Sequence, residues 1–264
     1  MALIECEFFS EALGLSSSMN VILPQNVSKQ IGINETIKNS DPPVLYLLHG
    51  YSDNHTAWLR RTSVERYAAE AGLAVIMPAV NLSYYADMGY GGKYWTFISE
   101  ELPAIVHSFF KLSRKRNETF VAGLSMGGYG AFKLAMSKPE NYAAAGSFSG
   151  ALDVYSICKT ADTEEEMKSL YNAFIDPETI LGTNSDLYYL VHKLTKRKIW
   201  KRKPPKLYQC CGTSDFLYED NIRFRDYLRE NDYDFLYEET EGEDHNWGYW
   251  DKSIKRFIEY ISEI

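Results

Sequence analysis

Cysteine is scarce in this chain of 264 residues, which contains only Cys6, Cys158, Cys210 and Cys211. Four cysteines are too few for a disulfide framework, and the adjacent pair falls in an apolar stretch typical of a strand. We therefore expect reduced thiols and a cytoplasmic location. The spacings CxxC and HExxH, which commonly bind zinc, do not occur in the sequence. The sequence accordingly predicts no metal and no other cofactor.

Excess positive charge and long apolar runs are also lacking. The chain carries 28 Lys and Arg against 36 Asp and Glu, a formal charge of −8, which argues against binding to a nucleic acid backbone. No apolar run approaches the roughly 20 residues that a membrane helix needs. The first seven residues are acidic where an export signal would be basic. We expect a soluble, unexported protein that binds neither nucleic acid nor membrane.

Short apolar runs alternating with amphipathic stretches dominate the remaining sequence. Two N-terminal segments, 4–9 and 17–23, predict an antiparallel hairpin. The continuous apolar runs at 44–48 and 73–77 fit strands buried on both faces of a parallel sheet. Further strands are predicted at 120–122, 143–148, 207–211 and 235–237, and helices at 97–109, 129–136, 221–228 and 254–261. This order predicts one α/β domain over residues 1–264, with helices on both faces of a mostly parallel sheet.

Two local signals refine this prediction. Residues 62–65, Thr-Ser-Val-Glu, have the spacing of a capping box, and Gly72 is placed to end the helix that follows. The segment 152–205 departs from the alternation and holds an acidic group at 162–166 and a basic run at 193–203. We interpret this segment as a cap inserted at the ligand-facing edge of the sheet. The basic run is typical of a solvated helix face, and a preference for anionic substrates is the alternative.

The pattern G-x-S-x-G occurs at Gly123-Leu124-Ser125-Met126-Gly127, between a predicted strand and a predicted helix. A tight turn there would project the serine hydroxyl from the sheet, and the glycines would permit a crowded backbone. The hydroxyl becomes a nucleophile once a base removes its proton. A structural Gly-Ser turn is the alternative, but the position between strand and helix favours a nucleophile.

A nucleophile on such a turn requires an acid after a later strand and then a histidine. Asp215 follows the predicted strand 207–211, and His245 follows the strand at 235–237. We expect Asp215 to orient the imidazole and His245 to move the proton of Ser125. Competing acids, more typical of surface or capping positions, are Asp220, Asp232, Asp234 and Asp244.

Two backbone N–H groups are candidates for stabilising negative charge as it develops. Met126 follows Ser125 at the start of the predicted helix. Tyr51 follows the strand 44–48, where enzymes with this turn supply a second donor, and His49 in the same loop is interpreted as structural. Trp247 and Trp250 lie close to His245 in sequence and are candidates to line the substrate site, with packing as the alternative.

Several segments together resemble the bacterial tributyrin esterases. These belong to the esterase D group, which also contains S-formylglutathione hydrolases, feruloyl and acetyl-xylan esterases and mycolyltransferases. The segments that carry the resemblance are Leu47–Gly50, Trp58–Thr62, Glu100–Pro103, Ala122–Gly130 and Ser147–Gly150. The stretch His245–Trp250 is similar to the H-x-W-x-x-W ending of the carbohydrate-ester members. The resemblance covers the whole chain and is weakest over the predicted cap.

The resemblance implies an α/β-hydrolase fold and metal-independent hydrolysis of short acyl esters. It implies Ser125, Asp215 and His245 as a triad, with Tyr51 and Met126 as the oxyanion hole. The implied substrates are small esters from acetyl to butyryl, with acetylated or feruloylated sugars included, and homo-oligomers are a habit of the family. The alternatives are a thioesterase of the formylglutathione type, an acyltransferase, and a non-catalytic binding protein on the same fold. The complete Ser, Asp, His order argues against the last.

Overall fold

The computed structural model describes residues 1–25, 31, 41–196 and 203–264. Its strands are β1 (Ala2–Ser10), β2 (Leu15–Leu23), β3 (Val44–Leu48), β4 (Ala74–Pro78), β5 (Thr119–Leu124), β6 (Ala144–Phe148), β7 (Lys206–Gly212) and β8 (Phe235–Thr240). They form one sheet in the order β1-β2-β4-β3-β5-β6-β7-β8. The pairs β1/β2 and β2/β4 are antiparallel, and all pairs from β4 to β8 are parallel. The predicted N-terminal hairpin and mostly parallel sheet are confirmed.

Helices cover both faces of this sheet. They are α1 (Ala57–Arg61), α2 (Val64–Ala71), α3 (Tyr94–Thr96), α4 (Leu102–Phe109), α5 (Met126–Ser137), α6 (Val154–Thr160), α7 (Glu164–Phe174), α8 (Leu187–Lys196), α9 (Tyr218–Glu230) and α10 (Trp247–Ser262). A π-helical turn, Phe97–Glu101, joins α3 to α4, and 3-10 turns span Arg116–Glu118 and Pro177–Thr179. In the described part of the chain, no helix is long and apolar enough to cross a membrane.

The side chains of β3 show how the core is divided. Val44, Tyr46 and Leu48 pack into the apolar cluster that includes residues of α5, α8 and α9. Leu45 and Leu47 point the other way, into the cluster formed with α2 and α10. All five residues are buried. A strand covered on both faces has no solvent-facing side, which explains its continuous apolar run.

The predicted capping box at residues 62–65 does not form. Helix α2 begins at Val64, and its N-cap residue, Ser63, makes no side-chain capping bond. Thr62, the N-cap residue of the predicted box, instead ends α1: its N–H donates to the carbonyl of Trp58 at 3.1 Å, and its hydroxyl donates to the same carbonyl at 2.6 Å. The Ser63 N–H donates to Asp251 Oδ1 of α10 at 2.8 Å. Gly72 does end the helix as predicted, because it adopts the left-handed conformation at φ 65°.

The predicted helix over 97–109 also differs from the structure. It opens as a π turn, because Pro103 has no N–H to donate to the carbonyl of Ser99 and the proline ring crowds that carbonyl. Leu102 and Val106 are buried, whereas Phe109 is 55% exposed and does not belong to the apolar face. The 3–4-residue spacing predicts one apolar face formed by Phe97, Ile98, Leu102, Ile105, Val106 and Phe109. The first five are buried or pack against the core, and the prediction is wrong at Phe109.

Helices α6, α7 and α8 lie within the segment 152–205. Helix α8 packs against α5 and α9 and thus belongs to the layer that covers the sheet. The α6 and α7 helices lie beside the site described below. Part of the predicted basic run, 197–202, lies outside the described residues.

Candidate active site

Ser125 occupies a strained turn between β5 and α5. Its backbone has φ 52° and ψ −120°, a conformation that residues with a side chain rarely adopt and that clusters at functional sites. The Ser125 N–H donates to the carbonyl of Phe148 on the neighbouring strand β6 at 2.9 Å, and its carbonyl accepts from the N–H of Gly128 at 2.9 Å. These bonds hold the turn, so that the hydroxyl stands at the carboxyl edge of the sheet, partly exposed.

The two glycines of the G-x-S-x-G pattern are required by close backbone contacts. A Cβ atom on Gly123 would lie 2.4 Å from the carbonyl oxygen of Gly127. A Cβ on Gly127 would lie 2.5 Å from the carbonyl oxygen of Leu48 in β3. Any larger residue would push α5 away from the strands, because these neighbours are backbone atoms and cannot rotate aside.

Asp215 and His245 are brought together from the ends of β7 and β8. The Nδ1 atom of His245 lies 2.9 Å from Oδ2 and 3.0 Å from Oδ1 of Asp215. The N–H of Leu217 donates to Asp215 Oδ1 at 2.9 Å. Because the carboxylate accepts, Nδ1 of His245 carries the proton, and Nε2 is left to accept one.

The environment of Asp215 keeps its carboxyl group ionised. Burial raises its pKa, but the hydrogen bond and charge of His245, the Ser149 hydroxyl and the Leu217 N–H outweigh burial, and the pKa lies below its ordinary value. Asp215 is buried, whereas its partner His245 is partly exposed at the surface of the site. The pair can therefore hold an imidazolium next to a fixed negative charge.

Ser125 and His245 are not joined by a hydrogen bond in this structure. Among the described residues, the Ser125 hydroxyl has no hydrogen-bond partner and is open to the cavity. Bonds of this kind commonly tighten only when a substrate is in place.

The backbone N–H groups of Tyr51 and Met126 flank the serine. A Cβ on Gly50 would lie 3.5 Å from the Cβ of Ser125, so the loop after β3 runs directly beside it. Met126 is the first residue of α5, where a helix leaves N–H groups without internal partners. Neither N–H has an acceptor in the part of the chain that the structure describes. Both donors are therefore free to bind an oxyanion.

His49 holds the loop that contains Tyr51. Its Nε2 accepts from the N–H of Val80 at 3.0 Å, and its Nδ1 lies 2.8 Å from the carbonyl oxygen of Gly50. Burial lowers the pKa of His49 to about 4, so the ring is neutral at pH 7. Both ring nitrogens thus bind backbone groups and fix the loop to the end of β4.

A cavity of about 320 Å³ opens beside Ser125. Tyr51, Tyr84 and Phe216 form aromatic walls, and Glu166 and Asp220 contribute carboxylates. Residues 157, 160 and 161, in and after α6, line another side. The first part of the predicted cap segment therefore borders the site.

The structure places neither Trp247 nor Trp250 on the wall of this cavity. Trp250 is buried, and its ring stands perpendicular to that of His245 with the centroids 4.8 Å apart. Trp247 packs against Trp250 and against Trp58, with centroid distances of 5.2 and 5.3 Å. Both tryptophans therefore have a packing role in this structure, because their indole rings fill the space between α10 and the neighbouring elements.

Phe216 is a site residue that the sequence analysis did not identify. Its side chain is 74% exposed, and its ring lies 4.4 Å from that of His245. The ring lies on the wall of the cavity beside Ser125. The only sequence signal was its position directly after Asp215.

The part of the chain that the structure describes contains no group of three or more His, Cys, Asp or Glu arranged to hold a metal ion.

Comparison with known proteins agrees with this geometry. The Esterase family model matches residues 10–259. An acetyl esterase from Caldicellulosiruptor saccharolyticus is 30% identical, with 100% of this chain and 99% of that protein covered. Two structures from Staphylococcus aureus are each 36% identical and cover 99% of this chain and 98% of their own. They are the fluorophosphonate-binding serine hydrolase FphF with substrate bound, at a TM-score of 0.87, and the S-formylglutathione hydrolase FrmB, at 0.84. This chain belongs to the Esterase family and is a serine carboxylic ester hydrolase with an esterase D-like α/β-hydrolase fold.

Proposed function

We propose that this enzyme hydrolyses short acyl esters, from acetyl to butyryl, with Ser125 as the nucleophile. Tributyrin-like esters and acylated sugars are included in the proposed range. The observation that carries the proposal is the strained Ser125 turn at a cavity of about 320 Å³, with the hydrogen-bonded Asp215 and His245 at the same edge of the sheet. A cavity of that volume suits a small ester. The printed name of the 30% identical relative, acetyl esterase, supports the same range.

Acylation begins when the Ser125 hydroxyl oxygen attacks the ester carbonyl carbon. Nε2 of His245 takes the hydroxyl proton, and Asp215 stabilises the imidazolium through Nδ1. The carbonyl oxygen becomes an oxyanion, to which the N–H groups of Tyr51 and Met126 donate. The imidazolium then gives its proton to the departing alcohol oxygen, the bond between carbonyl carbon and alcohol oxygen breaks, and the acyl group stays on Ser125.

Deacylation repeats these steps with water. His245 removes a proton from a water molecule, which attacks the acyl carbon, and the same two N–H groups bind the second oxyanion. The Ser125 oxygen leaves and takes its proton back from His245. A free carboxylic acid and the resting enzyme result.

A thioesterase that acts on S-formylglutathione is the second candidate. It is favoured by the 36% identical structure named S-formylglutathione hydrolase, and it would use the same nucleophile. Comparing kcat/KM on S-formylglutathione with kcat/KM on butyrate esters separates the two candidates.

Hydrolysis of p-nitrophenyl esters from acetyl to palmitoyl tests the proposal. We expect highest rates on the acetyl to butyryl esters, unchanged by a chelator. Ser125→Ala should lower kcat by about 10³-fold or more. Ser108→Ala is the matched control, because Ser108 is exposed on α4 and bonds only to the carbonyl of Ile105. Full activity in Ser125→Ala, or a preference for palmitoyl over butyryl, would refute the proposal.

A further inference from the structure

We propose that the cavity beside Ser125 selects esters that carry an ammonium group over neutral esters of the same shape, and that Glu166 determines this selectivity. The inference rests on the proposed function, and it adds the charge of the substrate. The ammonium group belongs either to the alcohol or to the acyl part, since the cavity opens directly beside the serine.

The charge of the cavity wall is the first support. Two of its lining residues, Glu166 and Asp220, are acidic, and among the described residues no Lys, Arg or His lines it. The Asp220 carboxylate is bonded to Arg223. The carboxylate of Glu166 has no hydrogen bond and no ion pair among the described residues. One uncompensated negative charge therefore remains at the cavity.

The position of Glu166 allows that charge to act inside the cavity. Glu166 lies in the first turn of α7 and is partly buried, whereas the adjacent Glu164 and Glu165 are exposed. Burial raises the pKa of the Tyr84 phenol on the cavity wall, and the charge of Glu166 raises it further. A carboxylate beside apolar walls interacts more strongly with a charged ligand than one in open water does.

The neighbouring cations do not neutralise this charge. Lys159 of α6 pairs with Glu178 at 2.8 Å, and Arg223 is held by Asp220. The described members of the predicted basic run, Lys193, Lys196 and Lys203, do not line the cavity. These three lysines therefore give no support at this cavity to the preference for anionic substrates, and the remaining members of the run, at 197–202, lie outside the described residues.

The aromatic walls supply the second, independent support. The rings of Tyr51 and Tyr84 lie 6.0 Å apart, and Phe216 presents an exposed ring on the same cavity. Aromatic faces attract ammonium groups through their quadrupole, most strongly where water is partly excluded. The Tyr51 hydroxyl is also buried with no partner among the described residues, so the wall contains a polar group that no protein atom satisfies.

Two pairs of esters test the proposal, each a cation and its uncharged carbon analogue. In the first pair, butyrylcholine is compared with 3,3-dimethylbutyl butyrate, which places the ammonium in the alcohol. In the second, the ethyl ester of 4-(trimethylammonio)butyrate is compared with ethyl 5,5-dimethylhexanoate, which places it in the acyl group. We expect kcat/KM to favour the cation by about fivefold in at least one pair, and the preference to shrink with added NaCl.

Glu166→Gln should bring that ratio close to one, and Glu165→Gln, the same change on an exposed neighbour, should leave it as in the wild type. The proposal is overturned if the wild type has a cation-to-neutral ratio of kcat/KM of one or less in both pairs of esters. It is also overturned if Glu166→Gln and Glu165→Gln change that ratio equally. If Glu166→Gln fails to fold, competitive inhibition of the wild type by a small cation and by its uncharged analogue tests the proposal instead. Tetramethylammonium must then compete with substrate more strongly than tert-butanol does.

One further measurement separates failure of the proposed function from failure of the charge selectivity. It is the hydrolysis of p-nitrophenyl butyrate by the wild type and by Ser125→Ala, which should abolish it. If that activity is present and the ratios are one, only the charge selectivity is wrong. If that activity is absent, the proposed function fails and the charge selectivity fails with it.

Discussion

The indole Nε1–H of Trp250 donates to the Oγ of Ser149 at a distance of 3.2 Å, and the Ser149 hydroxyl in turn helps to lower the pKa of Asp215. Ser149 thus connects Trp250, in the first turn of α10, to the acid that orients His245. Ser149 has a positive φ of 48°, which turns it toward this network at the end of β6. Asp215 therefore lies between Ser149, which Trp250 of α10 holds, and the imidazole of His245.

Trp250→Phe should lower kcat by about three- to tenfold with little change in KM, because one neutral hydrogen bond is worth about 0.5–1.5 kcal/mol. The ring is kept, so packing beside His245 is largely preserved. The control is Trp247→Phe, which alters the adjacent indole without touching Ser149. Steady-state kinetics on p-nitrophenyl butyrate measure both. Equal losses in the two variants would show that bulk, and not the hydrogen bond, supports Asp215.

Gly127→Ala should destabilise the protein by about 2–3 kcal/mol, because the new methyl group must displace backbone from a packed core. The carbonyl oxygens of Leu48 and His49 lie 2.5 and 2.6 Å from where that methyl carbon would stand. Gly248→Ala is the control, since its methyl would meet only the side-chain Oδ1 of Asn246 at 3.2 Å. Urea unfolding followed by circular dichroism measures both. A similar stability for the two variants would contradict the close contact at Gly127.

Lys133 gives a pH dependence of stability. Its Nζ is buried and donates to the carbonyl of Tyr85 at 2.9 Å and to Ser185 Oγ at 3.1 Å. Burial lowers the pKa of Lys133 to about 7. Above that pH the folded protein has released the proton of Lys133, whereas the unfolded chain still binds it up to about pH 10. The contribution of Lys133 to the free energy of unfolding therefore rises from about pH 7 to about pH 10.

Lys133→Met should remove this slope. The free energy of unfolding of the wild type, relative to Lys133→Met, should increase by up to about 4 kcal/mol between pH 7 and pH 10. The same comparison with Lys168→Met, at an exposed position on α7, should be flat. Urea titrations at several pH values measure the difference. A flat or falling difference for Lys133→Met would show that the ammonium keeps its proton over this range.

Phe216→Ala should raise KM for p-nitrophenyl butyrate by about three- to tenfold, because the ring lines the cavity and covers His245. Stability should change by less than about 0.5 kcal/mol, as is usual for an exposed residue. Phe109→Ala, at another exposed phenylalanine, should leave both KM and stability close to the wild type. An unchanged KM in Phe216→Ala would remove this residue from the substrate site.

Much of the fold follows from local patterns in the sequence. The continuous run at 44–48 indicated a strand covered on both faces, and the side chains of β3 do pack into two opposite clusters. The segment Ala122–Gly130 indicated a strand, a tight turn and a helix, and Ser125 sits on that turn at φ 52°. The capping box at 62–65 does not form because the pattern takes no account of the preceding helix α1, where the N–H and the hydroxyl of Thr62 both donate to the carbonyl of Trp58.

Distant contacts also explain why the sequence left two alternatives open for the tryptophans. Trp247 and Trp250 are near His245 in sequence, but the helical twist of α10 turns both toward Trp58 and Ser149. The cavity wall comes instead from loops and helices far apart along the chain, with Tyr51, Glu166 and Phe216 as examples. No short pattern joins these positions.

Local sequence patterns were sufficient to predict the alternation of strands and helices, the turn that carries Ser125, and the order of Ser125, Asp215 and His245. These features depend on side-chain periodicity and on turn residues, which act over a few positions. Tertiary packing was needed to place Asp215 2.9 Å from His245, to bring Trp250 to Ser149, and to leave Glu166 unpaired at the cavity. Those features depend on how distant segments pack, because burial and charge are set by neighbours in space.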